Sequence, residues 1–354
     1  MAELSVRTVS LRLLSPLVAA WGELSDRELL QVRVDFGEGD YGDGEAAPIE
    51  GYDGISLGAV RSALEVYGAV LARASPRSTH AELLAACAAE RALPHALAAV
   101  DLALWDRAGR RTGFPVAQLI AAGAVGSVPV NATLRSADRA GCAAAAAAAA
   151  EAGFRCVKMK VGIGDDAGRV AAVRAAAGDA MAIRVDANGA WQTVDEALAH
   201  LRALAPAGIE LCEEPIHGVD AMRAVRAKSP VPLAMDETAA ERGAPGAGAA
   251  DAMCLKIGRC GGISGLLRDA RAARAAGTKV YVAASFDGPL GIAAGLHAAA
   301  GLRASGPVGY CGLATLAAFE GFEGVLAAVD GAVAVPGGPG LLGGVEGLGD
   351  LLVG

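Results

Sequence analysis

Between about residue 128 and residue 312, short runs rich in β-branched and aliphatic residues recur roughly every 20 to 28 residues. They are VPVNAT (128–133), RCVKMKV (155–161), AIRVDA (182–187), IELCEE (209–214), PLAMDE (232–237), AMCLKI (252–257), KVYVAA (279–284) and VGYCG (308–312). The stretches between them, such as CAAAAAAAAEAG and VDEALAHLRALAP, carry helical periodicity. Few folds accommodate that rhythm. A strand followed by a crossover helix, repeated eight times, is the plan of a (β/α)8 barrel. The eight alanines 143–150 resemble low complexity, but alanine is the best helix former, so a plain crossover helix fits the pattern.

The chain is organised differently on either side of this repeat. Before it, LLQVRVDFGEGDYGDGEA alternates and turns like a hairpin, while LGAVRSALEVYGAVLARA and ALPHALAAVDLALWDRAGRRTG read as helices. We expect an α+β domain over 1–125, the barrel over 126–319, and a segment 320–354 that returns to the first domain. The Gly/Pro-rich VAVPGGPGLLGGVEGLGD within that last segment has no place in an eight-unit barrel.

One strand raises a question of charge. In FRCVKMKVG, Lys158 and Lys160 alternate with Val157, Met159 and Val161, so both ammonium groups leave the same face of an otherwise apolar strand. An edge strand with its lysines in solvent is one reading. The other is a barrel interior, where a buried ammonium survives only beside carboxylates, a metal site or water. The remaining strand ends favour the second. Asp186 ends the third strand, Glu213 and Glu214 the fourth, Asp236 and Glu237 the fifth, and Lys256 the sixth. In a barrel these ends share one face, which carries the active site.

Asp186, Glu213 and Asp236 then form an oxygen-only ligand set with no His or Cys, which suits Mg²⁺, with Mn²⁺ as a substitute. Lys160 and Lys256 flank the acidic strands and face each other across a bound substrate. A metal and other cations nearby, with partial desolvation, would bring a lysine pKa down toward the range of a general base. The combination suits removal of a proton next to a carboxylate, with the metal offsetting the charge that develops.

Composition excludes several other classes. A formal charge of −8 with 20% charged residues leaves no basic footprint for nucleic acid. The apolar content comes from small and aliphatic residues, no run reads as a membrane span, and MAELSVRTVSLRLLSP lacks a signal-peptide core, so we expect a cytoplasmic protein without membrane partners. Seven scattered cysteines, never spaced CxxC, argue against a disulfide framework or a zinc ribbon.

The pieces KMK, VDANGAW, CEEP, MDET and LKIGRCGG resemble the enolase superfamily, in particular its muconate-lactonizing-enzyme subgroup. The likeness extends over nearly the whole chain. It implies a modified (β/α)7β TIM barrel with an N-terminal α+β capping domain, whose loop GDGEAAPIEGYDG closes over the site. It also implies Asp186, Glu213 and Asp236 as Mg²⁺ ligands, Lys160 as base with Lys158 in support, and Lys256 as acid/base or electrostatic partner. Asn188 is expected to orient a lysine or to touch substrate. Asn131, Ser285 and Leu313 are the further candidate substrate contacts, with Trp21 of a second cap loop as another.

Members of this subgroup share catalytic groups while differing in substrate, a small carboxylate. PVNATL and YCGLATL resemble the first and eighth strands of o-succinylbenzoate synthases, which makes a syn-dehydration in menaquinone biosynthesis the first expectation. N-succinylamino acid racemases, epimerases and cycloisomerases are the alternatives, and a non-catalytic relative is a third. GYCGLATL offers no carboxylate to hold a substrate ammonium, which counts against a free α-amino group. AASFDGPLG departs from the expected seventh-strand pattern, and homo-oligomer formation is left open by the sequence.

Overall fold

A computed structural model describes residues 2–19, 22–75 and 77–348. The N-terminal part is an antiparallel sheet of β1 (Glu3–Ala19), β2 (Gly22–Asp35) and β3 (Tyr41–Ala46), followed by α1 (Glu50–Asp53), α2 (Leu57–Arg73), α3 (His80–Glu90) and α4 (Pro94–Thr112). The glycines of YGDGEA are placed by packing. A Cβ on Gly42 would lie 1.9 Å from the Ala103 carbonyl oxygen and one on Gly44 2.0 Å from that of Ala99, so only glycine lets α4 lie flat on β3. Val32, Val34, Leu64, Tyr67, Leu71 and Val100 fill the core between this sheet and its helices.

The chain continues through α5 (Val116–Ile120), β4 (Ser127–Pro129), β5 (Ala132–Leu134), α6 (Arg139–Glu151), β6 (Cys156–Lys160), α7 (Asp166–Ala177), β7 (Ala182–Asp186), α8 (Val194–Leu204), β8 (Leu211–Glu213) and α9 (Val219–Arg226). Then come β9 (Leu233–Met235), β10 (Ala252–Leu255), α10 (Ile257–Cys260), α11 (Ile263–Ala275), β11 (Lys279–Val282) and α12 (Pro289–Ala304). Strands β5 to β11 form one seven-stranded parallel sheet in sequence order, with helices between successive strands for most of its length. The alanine run is the body of α6, N-capped by Asp138, whose Oδ1 accepts from Gly141 N at 2.8 Å.

Two of the expected strands differ in detail. VPVNAT is split, because β4 pairs antiparallel with the C-terminal β13 (Ala332–Ala334), itself joined to β12 (Ala328–Val329), and only β5 enters the parallel sheet. VGYCG is held by isolated parallel bridges, Val280 to Val308 and Ala283 to Gly312 on one side and Val130 to Cys311 on the other. Those bridges join the two edges of the sheet through the 308–312 segment. Arg184 fills the interior beneath the site, 1% exposed, with Nε 2.7 Å from Glu210, Nη1 2.6 Å from the Tyr310 carbonyl and its guanidinium stacked 4.6 Å from the Tyr281 ring.

The two parts are stitched together at several points. Leu11, Leu13 and Leu29 of the β1–β2 hairpin belong to the core of the parallel sheet, and Leu13 bridges Phe319. The tail returns past α4: Leu341 N donates to Asp106 Oδ1 at 2.7 Å and Gly340 bridges Pro115. No helix among the described residues is long and apolar enough to cross a membrane.

Candidate active site

The strand ladder decides which side chains meet. Thr133 pairs with Lys158, Lys160 with Asp186, and Asp186 with Glu213, and laterally paired residues project to the same side of a sheet. Asp186, Glu213 and Asp236 are 1%, 1% and 2% exposed and Lys256 is 8% exposed. The lysines of KMK share a face as expected, but only Lys158 is mostly covered. The Lys160 side chain is half exposed because it stands at the strand's last position, in the open mouth.

The charges interlock. Lys158 Nζ lies 2.9 Å from Asp186 Oδ2 and also contacts Glu213 Oε2. Lys160 Nζ is 2.9 Å from the same Asp186 oxygen and donates to Asn188 Oδ1. Across the mouth, Lys256 Nζ is 2.6 Å from Asp236 Oδ2. Burial alone would raise the Asp186 carboxyl, yet Lys158 and Lys160 hold it well below the usual range. Burial opposes the charge on Lys158 and Lys256, and the carboxylates overcome it, raising both ammonium groups above their ordinary value. The expected lowering of a lysine pKa is tied to a bound metal, and the protein's own side chains push Lys158 and Lys256 the other way. These side chains by themselves make Lys158 and Lys256 stronger bases, and lowering them requires further positive charge in the cavity.

The N-terminal domain contributes to the site through the loop 47–53. Tyr52 OH accepts from Lys256 Nζ at 2.6 Å and donates to Asp236 Oδ2 at 2.8 Å. Asp53 receives Arg259 Nε at 2.9 Å and lies 3.4 Å from His95 Nε2, while Arg259 reaches Asp236 Oδ1 at 3.4 Å and stacks 4.1 Å from the Tyr52 ring. Arg27 anchors the loop to the seventh-strand end, donating to the carbonyls of Pro48 at 2.7 Å and Phe286 at 3.2 Å. Glu45 accepts from Gly288 N at 2.7 Å, and burial followed by the proximity of Asp287 pushes its carboxyl up to about 8. Sequence reasoning marked the loop and the LKIGRCGG segment but missed Tyr52, Asp53 and Arg259, since nothing in IEGYDG or IGRCGG reveals which side chain points inward.

The fit of a divalent cation rests on the donor set. Asp53, Asp186, Glu213, Asp236 and Glu237 surround the cavity, and four side-chain cations, Lys158, Lys160, Lys256 and Arg259, oppose them. The excess of carboxylate suits a doubly charged ion. Glu237 registers that excess: burial, then Asp236 and Asp186, raise its carboxyl to about 7. Oxygens of Glu213 and Asp236 lie within 4.8 Å of each other and of the Cys254 thiol, whereas Asp186 is turned to the two lysines. Glu214 stands apart from this set. Its backbone is in the left-handed region at φ 40°, and its carboxylate caps Asp236 N at 2.8 Å and Thr238 N at 3.0 Å, fixing the fifth strand's end.

The candidate substrate contacts separate on inspection. Asn188 accepts from Lys160 and donates to Glu237 Oε1 at 2.8 Å, so it positions the lysine. Asn131 lies on the interior face, 4% exposed, with its Nδ2 unpartnered among the described residues. Ser285 lines a narrow cleft with Glu45, His95, Lys256 and Asp287. Leu313 is a correction. It shares the outward parity of Cys311, is 1% exposed and fills the hollow over Gly295 of α12, so it packs the helix layer and does not reach the cavity. Trp21 lies outside the described residues. Thr133 and Arg135, which the sequence did not single out, are exposed on the interior side of the first strand.

Comparison with known proteins agrees with this geometry. The family described as "Enolase C-terminal domain-like" matches residues 141–346, and "Mandelate racemase / muconate lactonizing enzyme, N-terminal domain" matches residues 1–121. N-succinyl-L-Arg/Lys racemase of Bacillus cereus is 31% identical over 300 residues, covering 82% of this chain and 81% of the relative. o-Succinylbenzoate synthase of Thermobifida fusca is 37% identical over 200 residues, covering 54% of this chain and 60% of the relative. The crystal structure of the Bacillus cereus racemase superposes with a TM-score of 0.90 at 28% identity, covering 100% of this chain and 98% of the other. Since family models match both parts of the chain and the strand ends carry the acids and lysines that such chemistry uses, the chain belongs to the enolase superfamily, in its muconate-lactonizing-enzyme subgroup.

Proposed function

We propose that the protein moves the α-proton of an N-succinylated amino acid, interconverting its enantiomers within a (β/α)7β barrel closed by the N-terminal cap. One observation carries this reading. Lys160 and Lys256 stand at opposite sides of the acidic strands, each on its own carboxylate, Asp186 and Asp236, and each steadied by a neutral partner, Asn188 and Tyr52. Matched proton carriers on two faces are what inversion at one carbon needs. The absence of a carboxylate from GYCGLATL favours an acylated nitrogen over a free ammonium.

Mg²⁺ held by Glu213, Asp236 and Asp186 would supply the positive charge that acidifies the proton next to the substrate carboxylate. The rest falls to the chain. Lys160 removes the proton on one face, Lys256 returns one on the other, and the roles exchange in the reverse direction. Asn188 and Tyr52 hold the ammonium groups in place, and the 47–53 loop, pinned by Arg27 and Asp53, keeps bulk water out.

Dehydration to o-succinylbenzoate remains the second reading, favoured by the YCGLATL segment and by the 37% identity over 200 residues to a synthase. It uses the same proton abstraction by Lys160 but asks only electrostatic support of Lys256. The test is a Mg²⁺-dependent assay on a panel of N-succinyl amino acids beside the synthase precursor. Polarimetric racemisation of the panel supports the proposal. Turnover of the precursor alone replaces it with the second reading.

A further inference from the structure

Most guanidinium groups near the site are committed: Arg27 to backbone carbonyls, Arg259 to Asp53 and Asp236, Arg184 to Glu210. Arg135 is the exception. Among the described residues it has no hydrogen-bond or ion-pair partner, and its guanidinium carbon lies over the Phe286 ring, 5.5 Å from the centroid. It follows the last residue of β5, and the pairing of Thr133 with Lys158 and Leu134 with Met159 puts position 135 beside Lys160 on the interior side.

Phe286 is unusual as well. Its backbone lies at φ 54°, a region that bulky residues avoid, and the conformation is held by Arg27 Nε on its carbonyl at 3.2 Å and by edge-on contact with Phe319, centroids 6.4 Å apart. Strain of this kind persists where the surroundings enforce it, and here it presents an aromatic face to an otherwise unpaired cation at the barrel mouth.

The ring order of the strands locates this pair relative to the chemistry. The carboxylates end β7, β8 and β9, and Lys160 and Lys256 end the strands on either side. Diametrically opposite β8 lies the 308–312 segment, flanked by β5 and β11. Arg135 follows β5 and Phe286 follows β11. A substrate with its reacting carboxylate on the acidic side and its α-carbon between the lysines directs its two remaining arms away from β8, toward the side of the barrel where Arg135 stands. A guanidinium lying on an aromatic ring keeps its in-plane N–H groups free, and that planar fork matches a carboxylate.

We infer that Arg135, seated on Phe286, is the specificity residue that receives the distal carboxylate of the substrate's acyl arm. The inference rests on the proposed function and narrows it: substrates are dianions whose second charge lies across the barrel from the acidic strands, and neutral acyl groups are discriminated against.

The experiment compares two arms and two proteins. kcat/KM is measured for N-succinyl-L-methionine and N-acetyl-L-methionine with the wild type and Arg135→Gln, and equilibrium binding of N-succinylglycine and N-acetylglycine is measured by calorimetry on the same proteins with Mg²⁺. The succinyl-to-acetyl ratio is expected to fall about a hundredfold in Arg135→Gln, with partial recovery in Arg135→Lys, which keeps the charge but not the fork. An unchanged ratio in both kinetics and binding overturns the inference. If the wild type racemises no member of the N-succinyl amino acid panel, the racemase reading fails on its own, and the glycine pair still decides Arg135: selective loss of N-succinylglycine binding supports it, equal binding by both proteins overturns it.

Discussion

His297 lies in the middle of α12, fully buried, where its Nδ1 accepts from Ala117 N at 3.1 Å and its Nε2 donates to the Leu341 carbonyl at 2.9 Å. Only the neutral ring protonated on Nε2 makes both bonds. It therefore ties α5 and the returning tail to the barrel's outer layer, and a proton added at Nδ1 would face an N–H donor. Burial is the main cause that lowers its pKa from 6.5 to about 4. Because the folded value is the lower one, the stability this residue contributes is fully present above pH 6.5 and is lost as pH falls through about 4. The gap corresponds to roughly 3 kcal/mol. Urea unfolding at 25 °C between pH 8 and pH 4 measures it, with His297→Gln as reference, since an amide accepts and donates in similar directions without titrating. Relative to that variant, wild type is expected to lose about 3 kcal/mol, all of it below pH 6.5. Parallel curves for the two proteins would refute the assignment of a neutral, buried imidazole.

Three further outcomes follow from the packing and the site. Tyr52→Phe removes one acceptor from Lys256 and one donor from Asp236; kcat/KM on the best N-succinyl substrate is expected to fall roughly 10- to 100-fold while the unfolding midpoint barely moves. Gly295→Ala places a Cβ 2.7 Å from Leu313 Cδ2 and is expected to cost about 1–3 kcal/mol in urea unfolding. Leu313→Ala should cost less in that background than in wild type, as a double-mutant cycle would show. Mg²⁺ is expected to raise the thermal midpoint of the metal-stripped protein, since a ligand at one hundred times its Kd stabilises by about 2.7 kcal/mol, and Glu213→Gln should abolish the rise.

Much of the site was legible because charge inside apolar strands is costly and therefore conspicuous. Asp186, Glu213, Asp236 and Lys256 each end an apolar run and Lys158 interrupts one, and strand parity places them on a shared face. Parity also explains the failures. The eighth strand is held by isolated bridges with no continuous ladder, so the face of Leu313 was not readable from VGYCGL. The inward turn of Tyr52 depends on Arg27, His95 and Arg259, which converge on the 47–53 loop from three distant stretches, the last two through Asp53. The close carboxylates around Lys158 and Lys256 were not legible either: they raise both ammonium groups, whereas the expected lowering assumed a bound metal.

The central claim is that Lys160 and Lys256 serve opposite faces of one carbon. The most direct measurement follows α-proton exchange by NMR in D₂O for N-succinyl-L-methionine and N-succinyl-D-methionine, separately, with Lys160→Ala and Lys256→Ala. Each variant is expected to stop racemisation while still exchanging one enantiomer, and the enantiomer retained should differ between the two. If Lys160→Ala abolishes exchange of both enantiomers while Lys256→Ala exchanges both, a single lysine does the proton chemistry and the two-base account is wrong.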